Sequence, residues 1–445
     1  MLRTTGDKST ERKLKRARIE KSVFERKKPT PPDVVSPAPK STKGKEKVKP
    51  AAQASEPSSA KLPCTFKVVA GSYEKLLYGL EGSITCEDSG YQFHLNPIFI
   101  FPAHVSCIKA VAASPNGGKW LATGSADEIV KVWDLRRRKE IGGLMHHEGS
   151  ITQLQFPSRS HLLSASEDGT LCLFRARDWA VLRSLKGHKG RVNSVAVHPS
   201  GKVALSVGKD KTLRMWDLMR GKGSASTKLG KEGEVVRWSV TGSSFVVQSQ
   251  SSIDVFSTDM VLRHTIQHPS RIHSVRFCHR VNGPGELMFV AAEDKKVSIY
   301  EIPDNPDTLP RIIADMVGHS NRVKAVEMLQ VAFPTSPNKT SEFGRTSTTI
   351  ACTVSSDGKI HIYDLAALPA HSQDRVELQP VAEYDTKGTR LTCVTLAEGE
   401  ATDLPANGKR KRAVADEEDE SEGEEEEWQP HIEEAEEDEE SEDDA

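Results

Sequence analysis

The run Leu185-Lys-Gly-His188-Lys-Gly-Arg191-Val192-Asn-Ser-Val195, continued by Ser206-Val-Gly-Lys-Asp210-Lys-Thr-Leu-Arg-Met-Trp216-Asp217, decides the fold. A Gly-His pair opens an apolar strand. A Ser…Asp turn follows, and then a strand ending in Trp-Asp. His188, Ser206, Asp210 and Trp216 offer matching donors and acceptors. Their spacing lets strands that fold back on one another join them by hydrogen bonds. Such a link ties an incoming loop to the inner strands of one sheet.

Worn copies of the unit spread in both directions from this stretch. An apolar-x-x-apolar core recurs as Ile108…Val111, Ile151…Leu154, Val192…Val195, Val235…Trp238, Ile272…Val275, Val323…Val326 and Leu391…Val394. Most intervals are close to the roughly forty residues of a WD40 blade. A turn acid follows most cores, at Asp127, Asp168, Asp210, Asp294 and Asp357; the fourth core has Gln248-Ser-Gln250 instead. Third strands end at Trp133, Phe174, Trp216, Phe256, Tyr300 and Tyr363, where large rings fill the space between blades. His104, His147, His188, His268 and His319 precede inner strands and read as structural hydrogen-bonders, not as bases or metal ligands.

The seventh core has no second or third strand after it. The missing strands stand at the other end: Phe66–Ser72 resembles a second strand, Lys75–Tyr78 a third, and Phe93–Phe101 supplies a fourth. The expected fold is therefore all-β: a seven-bladed WD40 β-propeller over residues 62–398. It closes by sharing the blade that is first in chain order between N- and C-terminal strands, which removes the open edges of a linear array. Two insertions in the sixth repeat, Phe333–Ser347 and Ala367–Asp374, read as surface loops.

The net charge of −2 conceals three regions. Residues 1–61 carry +10, with basic clusters at Arg12–Arg18 and Arg26–Lys28, and read as a disordered arm. The propeller region and linker carry +8, and residues 416–445 carry −20. Residues 399–445 read as a disordered linker and acidic tail. The linker holds Lys409-Arg410-Lys411-Arg412, a candidate nuclear-import signal; Ser421 and Ser441, each followed by acids, are candidate phosphosites. Trp428, with Pro430 and Ile432, is the apolar point of the tail and a candidate anchor for a partner. The seven cysteines form no Cys-x-x-Cys pair and read as reduced core residues. No apolar run is long enough to span a membrane.

No phosphate-binding loop, His-Glu-x-x-His, Gly-x-Ser-x-Gly or kinase signature is present, so neither an enzyme, a metal nor a cofactor is expected. One recurrence invites a binding role. The residue before the inner core is Arg191, Arg271, Arg322 or Arg390 in four repeats, and Lys189, Lys209 and Lys211 lie in the same class of loops. This is either a solvated edge or a basic rim for an acidic partner or RNA phosphate, for which the acidic tail would compete.

The middle of the chain also resembles one WD40 family, the fungal Mak-type proteins and the animal PAK-interacting proteins. Val69–Glu74, Thr123–Glu128, His146–Ile151, Leu163–Gly169 and Arg390–Cys393 carry the likeness, and Leu205-Ser-Val-Gly-Lys-Asp-Lys-Thr-Leu-Arg214 is its most specific part. The resemblance implies a non-enzymatic, nucleolar scaffold in assembly of the large (60S) ribosomal subunit. Its partners would be pre-60S factors and ribosomal proteins, with pre-rRNA reached through basic segments. It also implies a PAK-type kinase as an alternative partner. A substrate receptor of a ubiquitin ligase is the other alternative for a WD40 chain. Neither a membrane nor a small-molecule substrate is expected, and the propeller is expected to be monomeric.

Overall fold

Runs of branched and aromatic residues, cut by Gly, Asp and Ser turns, have period two and no helical period. The computed structural model describes residues 62–399, apart from 88–89, 304, 306–307, 335–344 and 370–373. Its described residues form seven sheets and no α-helix. We number the blades by their inner strands, so the shared blade, first in chain order, is blade seven.

Blade one comprises Ile108–Ala113, Trp120–Ser125, Val130–Asp134 and Lys139–Leu144. Blade three comprises Val192–Val197, Val203–Gly208, Thr212–Asp217 and Lys222–Lys228; blade four comprises Val235–Trp238, Ser244–Ser249, Ser252–Ser257 and Leu262–Gln267. Neighbours pair antiparallel, and burial falls from the second strand outward. Val203–Gly208 is almost wholly buried, whereas Lys222–Lys228 is exposed at every residue. The seven inner strands pack in succession, and Leu391–Glu398 returns to Ile108–Ala113, which closes the ring around a central channel.

Blade seven is made as the sequence suggests. Leu391–Glu398 pairs with Thr65–Ser72, which pairs with Leu76–Glu87 and then Gly90–Pro102. Gly71 lies where an added Cβ would stand 2.6 Å from Ile108 Cγ2 and 2.8 Å from Cys393 Sγ. The closing strand and blade one therefore meet at a point that admits no side chain.

The second hairpin of blade seven is longer than Lys75–Tyr78 and Phe93–Phe101 suggest. It adds Ile84 and Phe93 to a core that also holds Phe66, Val331, Phe333 and Ile350. Here the first insertion departs from a surface loop. Phe333 is buried and stacks on Tyr91 with ring centroids 3.7 Å apart, while Val323–Ala332 and Ser347–Ser355 are extended strands. An aromatic at the start of a Pro/Ser-rich run gains more from burial between two blades than from water.

The second insertion also differs. Leu365–Ala367 forms a 3₁₀ turn with Leu368 buried behind it. After the insertion, Val376–Leu378 pairs in parallel with Arg311–Met316, the outer strand of blade five. Arg375 fixes it by donating to Asp315 Oδ1 at 2.6 Å. One blade thus covers the exposed edge of its neighbour. Cys172, Cys278, Cys352 and Cys393 are buried, but Cys86 is exposed and Cys64 and Cys107 are half-buried, so only the first four are core residues.

Candidate functional site

Antiparallel pairing decides which loops share an end of the ring. Val192 lies opposite Gly208, Ile108 opposite Ser125, Ile272 opposite Ala292 and Leu391 opposite Ser72. The loop entering each inner strand therefore stands beside the turn leaving the second strand. This end carries the histidines, the turn acids and the rim arginines.

In blade three, His188 Nδ1 lies 3.0 Å from Asp210 and Nε2 2.7 Å from Ser206 Oγ, while Trp216 Nε1 donates to Ser206 Oγ at 2.8 Å. Asp210 also accepts from the Lys189 and Thr212 backbone N–H groups. Burial pushes the His188 ring below the ordinary histidine value against the pull of Asp210. Burial alone would raise Asp210, but these hydrogen bonds outweigh it and hold the carboxylate below its usual value. A neutral ring that donates from Nδ1 to a carboxylate must accept at Nε2. The donor chain therefore runs Trp216 to Ser206 to His188 to Asp210. Every atom is committed, and none is left to act as a base.

The tie degrades by steps around the ring. Blade one keeps all four members as His104, Thr123, Asp127 and Trp133. Blade two keeps His147, Ser164 and Asp168, and blade six keeps His319, Thr353 and Asp357. In blade five, His268 turns to the Tyr300 hydroxyl at 2.8 Å and faces Asp294 only at 3.4 Å. No group of three or more His, Cys, Asp or Glu able to hold a metal occurs among the described residues.

The rim proves to be of mixed sign. Arg191 reaches Glu232 at 3.1 Å, Arg271 reaches Glu234 at 2.9 Å, and Arg322 stands 3.9 Å from Glu293. Each of these arginines faces a carboxylate of an adjoining blade, so they do not form a bare basic surface. Glu232 and Glu234, two residues apart in one loop, are the signal that counting cations alone overlooks. The side chains of Lys189, Lys209, Lys211 and Arg390 are exposed and have no ion pair among the described residues. Lys189, Lys209 and Lys211 come from adjoining loops of blade three. Two exposed apolar residues at the same end escaped the sequence reading: Tyr73 and Val105, 61% and 78% exposed. Tyr73 is held beside Arg390 by its backbone N–H. Cations beside apolar side chains on a rigid surface suit a protein partner. Lys409–Arg412, Ser421, Ser441, Trp428 and the basic clusters of residues 1–61 lie outside the described residues.

The family description "WD domain, G-beta repeat" matches residues 95–134, 138–175 and 179–217. Across the longer chain, a p21-activated protein kinase-interacting protein 1-like protein of Danio rerio is 31% identical over 330 residues, covering 74% of this chain and 80% of that protein. Protein MAK11 of Saccharomyces cerevisiae is 33% identical over 391 residues, covering 79% and 87%. Shk1 kinase-binding protein 15 of Schizosaccharomyces pombe is 26% identical over 349 residues, covering 77% and 87%.

Proposed function

Because this chain belongs to the WD40-repeat family of the p21-activated protein kinase-interacting proteins and MAK11, we propose that it is a non-catalytic scaffold for assembly of the large ribosomal subunit precursor in the nucleolus. Charge placement is the observation that carries the reading. On the propeller, Lys189, Lys209 and Lys211 remain without carboxylate partners where neighbouring rim arginines are neutralised. Beyond it, Lys409–Arg412 and a segment of net charge −20 stand in the same chain. A rigid ring with a cationic edge suits simultaneous contact with proteins and RNA phosphate, and a basic cluster suits import into an RNA-rich compartment. The second reading, an adaptor that binds and restrains a PAK-type kinase, is favoured by the kinase-binding names of several relatives.

Purification of the tagged full-length chain, with gradient sedimentation and mass spectrometry, separates the two. The scaffold reading expects co-sedimentation with large-subunit precursors and their assembly factors. Protein confined to the light fractions in company with a kinase would sink it and leave the adaptor.

A further inference from the structure

The channel through the ring has a charge imbalance that the repeat motif does not explain. The part nearer the rim is a cavity of about 270 Å³, whose walls include Lys109, Thr152, Arg237, His273, Arg276 and Lys324. It adjoins a second cavity of about 520 Å³, and Arg237 and Arg276 line both. Most charges here are matched. Lys109 pairs with Glu167 at 3.0 Å, Arg276 with Glu327 at 2.7 Å, and Glu234, on the same wall, with Arg271 at 2.9 Å.

Arg237 and Lys324 make no direct ion pair among the described residues. Nη1 of Arg237 donates to Val236 O at 2.7 Å, Ser194 Oγ at 3.2 Å and Val195 O at 3.3 Å, all neutral acceptors. Its Nε has no hydrogen-bond partner. Arg237 is half-buried and lines both cavities. Burial, then Arg276, disfavours the Arg237 charge against the pull of Glu327; burial, then Arg322, holds the half-buried Lys324 ammonium below its ordinary value against the pull of Glu293. Among the described residues Thr152 Oγ1, a buried atom of a wall residue, lacks a hydrogen-bond partner, and His273 Nε2 faces Glu293 at 3.5 Å. Two cations that line one cavity without a direct ion pair are costly unless something of opposite charge enters.

We propose that this part of the channel is a binding site for a phosphate-bearing small anion, held between Arg237 and Lys324. The surplus is two positive charges on inner strands of different blades, which matches one dianionic phosphate group. A single aspartate or glutamate side chain from a peptide brings half that charge and leaves the other cation unmatched. Asn193 and Gln153 also line the cavity, with Asn193 Nδ2 donating to Glu232 and Gly233 O and Gln153 Oε1 accepting from Ser194 and Val195. The site stands apart from the scaffold reading and does not depend on it. Bound there, the anion links blades four and six across the lumen and stiffens the ring against opening.

The experiment is calorimetric titration and thermal unfolding of the full chain with tripolyphosphate at low salt. Lys324→Gln and Arg237→Gln are compared with the rim variant Lys189→Gln/Lys209→Gln/Lys211→Gln, and unliganded melting confirms that each folds. Saturable binding at one site is expected, with a rise in melting temperature. Affinity should fall by about tenfold or more in either channel variant, since each removes a charge-assisted contact, and should persist in the rim variant. Water suffices to fill the channel, and the proposal is overturned, if tripolyphosphate does not bind. It is overturned equally if binding survives both channel variants but is lost with the rim lysines. A synthetic peptide of residues 416–445 that binds in the channel where tripolyphosphate does not would also overturn it.

Discussion

Blade three ties its outer strands to the incoming loop through His188, Ser206, Trp216 and Asp210, whereas blade four ties the same places with Lys231 and Asp254. Lys231 stands four residues before Val235, as His188 stands four before Val192. Its Nζ lies 2.8 Å from Asp254 Oδ2 and donates to Ser252 Oγ at 2.8 Å. The acid has moved because the turn has shortened. In blade three, three residues separate Gly208 from Thr212; in blade four, only two separate Ser249 from Ser252. No position remains for a turn acid, and the carboxylate comes from the third strand instead, where Thr265 also donates to it at 3.0 Å. What the propeller requires is a tie from loop to outer strand, not a particular residue set. One tie is a chain of neutral donors ending in a shielded carboxylate; the other is an ion pair with a half-exposed lysine.

The largest perturbation erases the difference between the blades. Removing residues 388–398 takes away the inner strand of blade seven and its pairing with Phe66–Ser72. Fully buried Phe66, Val68 and Ala70 are then uncovered on one face, and blades one and six lose a neighbour. Both blade types should lose their cooperative thermal transition together. A truncated chain that melts near the full-length temperature would show that the ring does not need closing.

Acidification is expected to act on blade three's kind of tie. Burial, as the largest cause, holds His104, His147 and His188 below the ordinary histidine value and pushes His273 and His361 down to about 4. A histidine whose pKa is lower folded than unfolded favours the fold when neutral. Its contribution is complete above the unfolded value of about 6.5 and is lost as pH falls below it toward the folded value. Denaturant midpoints should therefore fall between pH 7 and pH 5, before the carboxylates begin to titrate. A midpoint unchanged or higher at pH 5 contradicts the neutral-ring assignment.

The comparison of these two blades also marks how much could be read from the chain alone. Spacing carried the ring: seven apolar cores, and Phe66–Ser72 as the strand that Leu391–Val394 lacked. Both rest on period and burial, which a sequence displays directly. Lys231 was missed because it belongs to no motif, although its place before Val235 was available. Phe333 was assigned to a loop because its neighbours are polar and its partner, Tyr91, is remote in sequence. Val376–Leu378 is too short to show alternation and is a strand only because Arg311–Met316 offers an edge. Arg237 and Lys324 alternate with apolar residues along inner strands and drew no reading; only closure of the ring turns that face into a channel wall. The rim arginines were read from one class of loops, whereas their carboxylates arrive from adjacent blades.

Single substitutions bring the two ties into direct contrast, with the larger effect in blade three. His188→Ala leaves Ser206 and Asp210 without their buried partner and should cost roughly 2–4 kcal/mol. The smaller effect is the more informative. Lys231 is 41% exposed in its side chain and Asp254 11%, so Lys231→Met strands one mostly buried carboxylate that keeps Thr265. With the lysine half in solvent, the loss should be about 1 kcal/mol at low ionic strength and should shrink as salt screens the wild-type pair. The His188→Ala loss should hardly respond to salt, because its chain is neutral except at the shielded end. Lys231→His should not restore blade four, since the turn of Gln250 and Ser251 supplies no carboxylate to a ring nitrogen. Denaturation of the three variants at low and high salt checks the set. Equal salt dependence for His188→Ala and Lys231→Met, or full stability in Lys231→His, would mean that the two blades share one mechanism after all.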